Sequence, residues 1–88
     1  MLTPEHLSQM RHAVDFYSVS RPGFRNYFSA EETDPIWADL VELGFAAGRD
    51  CLGSYVFHVT ESGQKLIGLD EQIAMVKYMN EESFGADE

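Results

Sequence analysis

Leu7, Met10, Val14 and Tyr17 recur at the three- and four-residue spacing of one helix face, and this stripe is the first legible feature of the chain. Thr3 supplies a cap ahead of Pro4, and Glu5 complements the positive end of the helix dipole. Ser18 to Ser20, followed by Arg21-Pro22-Gly23, stops that helix. A second helix is predicted over 35–43, with Asp34 as cap and Pro35 at the first position. Ile36, Trp37, Leu40, Val41 and Leu43 give it a wide apolar stripe, which places Trp37 in the core. Gly44 suits the left-handed conformation that ends a helix, with Phe45 folding back on the last turn. Between the two helices, residues 24–28 read as one helical turn bringing three aromatics to the core, and 29–33 as a polar loop.

From Phe45 onward the period changes. Tyr55, Phe57 and Val59 alternate with Val56 and His58, so 45–59 reads as a β-hairpin whose connection spans 49–54. Thr60 caps a third helix with Leu66 and Ile67 facing inward. Gly68 breaks it, and Asp70 caps a continuation through Ile73, Met75, Val76 and Met79. Residues 81–88 read as an acidic flexible tail, which leaves 1–80 as the single domain. With 88 residues and 44% hydrophobic content, one compact core is attainable and a second lobe is not. The expected fold class is therefore α+β, a small domain of three or four helices with a two-stranded hairpin.

Helix, short middle element, helix, hairpin, helix is the element order of a winged helix. The stretch from Leu40 to Phe45, the hairpin, and Val59-Thr60-Glu61-Ser62-Gly63-Gln64-Lys65-Leu66 resembles winged helix-turn-helix regulators of bacteria, from the end of the recognition helix into the helix after the wing. The chain is also similar to small proteins of bacteriophages and prophages, through Arg25-Asn26-Tyr27-Phe28 and the turn from His58 to Gly63. The first resemblance implies a winged-helix-like fold and, by its usual use, a DNA-binding regulator. The second implies a phage-related setting and carries no activity with it.

Charge weighs against the regulator. Six Lys and Arg stand against 15 Asp and Glu, a net of −9, whereas capture of nucleic acid or an anionic membrane needs positive charge. The outward positions of the second helix are Ala38, Asp39 and Glu42, and none can donate to a guanine edge. The imbalance is also uneven. Residues 1–30 carry three basic against two acidic side chains, a balance of +1, while 31–88 carry three against 13, a balance of −10. Asp39, Glu42, Glu31 and Glu32 are the candidate acidic face for a basic protein partner, possible targets including a host nucleic-acid-binding or defence protein. Arg21, Arg25, Asn26 and Tyr27 are a candidate basic-aromatic patch, with the competing reading that Tyr27 and Phe28 plug the core while Arg25 and Asn26 bond loop carbonyls. Met75, Tyr78 and Met79 fall outside any single core-facing stripe, which marks residues 70–79 as a candidate homodimer interface.

Chemistry is sparse. His6 and His12 are six residues apart and lie about 120° from each other around a helix, so they share no metal. Cys51 cannot form an internal disulfide, and a lone thiol in an acidic loop is a poor nucleophile. The sequence offers no P-loop, nucleophile elbow or paired-carboxylate signature. No catalytic residue, metal or cofactor is expected, no apolar run approaches the roughly 20 residues of a membrane span, and the charged N-terminus argues against a signal peptide. The expectation is a cytoplasmic, non-enzymatic binding protein.

Overall fold

The structure, a computed structural model, describes residues 2–85, with side chains described through residue 81. Helix α1 spans Pro4–Ala13 and α2 Pro35–Glu42, each entered through the expected cap and proline. Asp34 accepts from the backbone N–H groups of Ile36 and Trp37, at 3.0 and 3.1 Å. Strands β2 (Ala46–Cys51) and β3 (Ser54–Val59) form the hairpin, followed by α3 (Glu61–Leu66) and α4 (Leu69–Gly85). The hairpin connection is tighter than the expected six-residue loop: only Leu52 and Gly53 turn, both at positive φ. The fold is an α+β domain of winged-helix-like arrangement, with four helices and a three-stranded antiparallel sheet among the described residues.

That third strand is the main departure from the sequence pattern. Phe28–Ser29, expected at the end of a helical turn and the start of a loop, form strand β1 on the outer side of β3, giving the order β1-β3-β2. Phe28 pairs with Phe57 and Ser29 with Val56, so the same register sets residue 26 opposite Val59. The Asn26 side chain occupies that place. Its Oδ1 accepts from Val59 N–H at 2.8 Å and its Nδ2 donates to Val59 C=O at 2.9 Å, prolonging the ladder by one amide.

The core forms where α1 and α2 meet β3. Trp37 is fully buried and lies between Phe28 and Phe57, each ring centroid 5.3 Å away in stacked geometry. Such stacks add about 0.5–1.5 kcal/mol per pair to the burial itself. Met10, Val14, Leu40, Val59, Ile67 and Leu69 complete the apolar set. The alternation expected of β3 holds, with Phe57 and Val59 buried and His58 exposed. Gly63 is the tightest point: a Cβ there would meet the Phe45 carbonyl oxygen and a Val59 methyl, which is why α3 can lie against the hairpin.

Several inward assignments need correction. Helix α1 ends at Ala13 and Asp15 takes a positive φ, so Tyr17 lies beyond the helix and is 72% exposed. Its place in the buried set is taken by His6 and Ala13. Val41, Leu43 and Leu66 are also exposed, since one side of each helix suffices to cover a small core. Helix α4 starts at Leu69, ahead of Asp70, which therefore lies in the first turn and is not the cap. Residues 81–85, expected in a frayed tail, continue α4, and 86–88 lie outside the described residues. The Cα radius of gyration, 14.9 Å, exceeds the roughly 12 Å of a compact chain this long. Helix α4 packs chiefly on α3, and that sparse attachment accounts for the elongation.

Candidate functional site

The predicted acidic face divides in two. Glu31 and Glu32, from the β1–α2 connection, line one notch together with Asp50 of β2, beside the hairpin turn at Gly53. Asp39 and Glu42 do not line it. They occupy the outward side of α2, three residues apart. Asp39 is not a free surface charge: its Oδ2 lies 3.0 Å from Nε2 of the buried His6. The other ring nitrogen, Nδ1, receives the Thr3 backbone N–H at 2.9 Å, so it is the unprotonated acceptor and Nε2–H donates to Asp39. One imidazole thus closes the cap of α1 and ties that helix to α2. The sequence reading gave Asp50 no part in the acidic face and missed the tie from His6 to Asp39, because these partners lie about 20 and 33 residues away.

The basic-aromatic patch is partly consumed by the fold. Asn26 is committed to Val59, as described above. The Arg25 guanidinium lies 4.6 Å over the ring of Tyr27, and Arg21 lies 5.0 Å over Phe24. Tyr27 is half-exposed, so the core-plug role falls to Phe28 and Trp37 alone. These cation–ring pairs hold Arg21 and Arg25 against the surface while leaving their donors toward solvent. Arg21 and Phe24 also line a groove of about 530 Å3 against Ile73 and Lys77 of α4.

Met75, Tyr78 and Met79 are 57%, 65% and 59% exposed, as their positions on α4 led us to expect. The sequence did not place Tyr17 and Val19 beside them. Both line a second groove with Val76 and Met79, about 60 residues further along the chain.

His12 sits edge-on to Phe28 at 5.7 Å, Cys51 is a free exposed thiol, and among the described residues no group of three or more His, Cys, Asp or Glu could hold a metal ion. No described helix is long and apolar enough to cross a membrane. The described residues form a small winged-helix-like α+β domain with separate charged and apolar surfaces. Compared with protein-family models, curated proteins and solved structures, the chain matches none.

Proposed function

We propose that this chain is a non-enzymatic protein-binding module whose acidic side engages a basic surface on a partner protein. The observation that carries the proposal is the notch where Glu31, Glu32 and Asp50 converge beside the hairpin turn, with Glu42 on the neighbouring helix. In a winged helix that reads DNA, the helix before the hairpin enters the major groove and the wing follows the backbone. Here α2 and the hairpin carry carboxylates at those places, relieved only by Arg49. A surface of that sign repels phosphate and attracts the Lys and Arg with which other proteins bind nucleic acid. Inhibition of a host nucleic-acid-binding or defence protein is one form this binding takes in the phage-related setting that the sequence resembles. The free thiol of Cys51 suits the reducing host cytoplasm.

The second reading, a DNA-binding regulator, rests on the fold arrangement alone. Both are tested by charge reversal. The variant Glu31→Lys, Glu32→Lys, Glu42→Lys leaves His6 its partner, which Asp39→Lys would remove. Captured host proteins should be basic, released by salt, and lost by the variant. Equal capture by both forms removes the acidic side from the account, and a salt-sensitive shift of duplex DNA by the natural chain at about 50 mM salt replaces it with the regulator.

A further inference from the structure

We propose that two copies of this chain pair through the groove between α4 and residues 17–19. Tyr17 and Val19 form one wall of that groove, Gln72 and Met79 the other, with the buried Val76 as floor. Asn80 Nδ2 donates to the Val19 carbonyl at 3.3 Å and fixes the loop against the helix, so the groove exists before any partner arrives. Its volume is about 250 Å3, below the roughly 300–1,000 Å3 of small-molecule pockets. Side chains of a partner fit it; a cofactor does not.

Three features select a second copy as the partner. The first is shape. Met75 stands one turn before Met79, the residue of the groove wall, and both are more than half exposed, so the wall continues along α4 as a ridge. Groove and ridge on one face are what a two-fold contact needs, since each copy supplies both halves. Thioethers also pack well against the ring of Tyr17. The second is charge. Among the described residues no Asp, Glu, Lys or Arg lines this groove, whereas carboxylates line the notch at Asp50, and Arg21, Lys77 and Glu81 line the neighbouring groove. Two bodies of −9 each can approach closely only where neither presents like charge, and an acidic or basic partner finds its complement elsewhere on the surface. The third is length. The 17 residues of α4 extend about 25 Å, enough for a contact approaching the ~800 Å2 per partner of a stable interface.

Sedimentation equilibrium at about 0.15 M salt, over micromolar concentrations, tests the pairing on the intact chain. The expected mass is twice 10.0 kDa, with tighter association as salt rises, because only repulsion is being screened. Val19→Glu, Met75→Glu and Met79→Glu should each weaken the pair about tenfold or more, with the circular dichroism spectrum unchanged because all three positions are exposed, and the thermal midpoint unchanged only at concentrations where the natural chain is itself monomeric. Val41→Glu on α2 should leave it intact. A monomer throughout, a pair that survives the α4 and loop variants, or a pair that weakens as salt rises would overturn the proposal; a monomer leaves the groove to a different protein.

Discussion

The two ends of this molecule are built on opposite terms. Around Trp37, three stacked rings, a side-chain amide spliced into the sheet and a helix pressed onto a backbone carbonyl leave no room for substitution. Around α4, side chains of the same apolar type stand in solvent, and the loop opposite is held by contacts that include a 3.3 Å hydrogen bond from Asn80 to Val19 and the close approach of Gly23 to Leu69 and Ile73. The contrast shows that hydrophobic content alone does not define a core. What distinguishes Trp37 from Tyr17 is contact from three elements at once, and that convergence buries one region and leaves the other exposed.

Substitutions should separate the two regions in a graded series. Trp37→Ala removes the centre of the stack and should cost about 3–5 kcal/mol, much of the total stability of a domain this small, so thermal melts should show little or no cooperative transition. Gly63→Ala adds a Cβ against the Phe45 carbonyl oxygen and Val59, contacts that cannot rotate away. A loss of about 1–3 kcal/mol is expected, read as a midpoint lowered by roughly 4–8 °C per kcal/mol. If Gly63→Ala melts like the natural chain, α3 is not pressed on the hairpin as described. Asn26→Leu keeps the volume but strands the Val59 N–H, for about 1–3 kcal/mol, and amide exchange at Val59 should accelerate while Thr60, whose N–H donates to the Phe45 carbonyl on the other side, changes less. At the far end, Tyr17→Ser should move the unfolding free energy of the monomer by no more than about 0.5 kcal/mol. A larger loss from Tyr17→Ser than from Asn26→Leu would erase the distinction between the regions.

The acidic side belongs to neither extreme. Glu31, Glu32 and Glu42 are exposed, yet Asp39 beside them holds a buried imidazole whose other nitrogen closes a helix cap. Two carboxylates on one turn of α2 therefore differ in their surroundings: Glu42 is exposed on the side proposed to meet a partner, while Asp39 is paired with the buried His6.

Local signals in this sequence located three helix caps and the hairpin strands, while they misplaced the end of α1, the start of α4 and the length of the hairpin turn. Thr3, Asp34 and Thr60 cap helices because their oxygens reach N–H groups two or three residues on, and Gly44 and Gly68 end helices through their own φ. The alternation of Tyr55, Phe57 and Val59 specified the inward face of β3 for the same reason. Tertiary structure decided the rest. Strand β1 is two residues long and has no period to detect; it exists because β3 offers a free edge about 30 residues away. Helical spacing nominated Tyr17, Val41, Leu43 and Leu66 for the core alongside Met10 and Leu40, and only packing could choose among them, because a core this small has room for one side of each helix. The convergence of Glu31 and Glu32 with Asp50, and of Tyr17 and Val19 with Met79, was equally out of reach of any local pattern, since each depends on how separate elements dock rather than on the residues within one element.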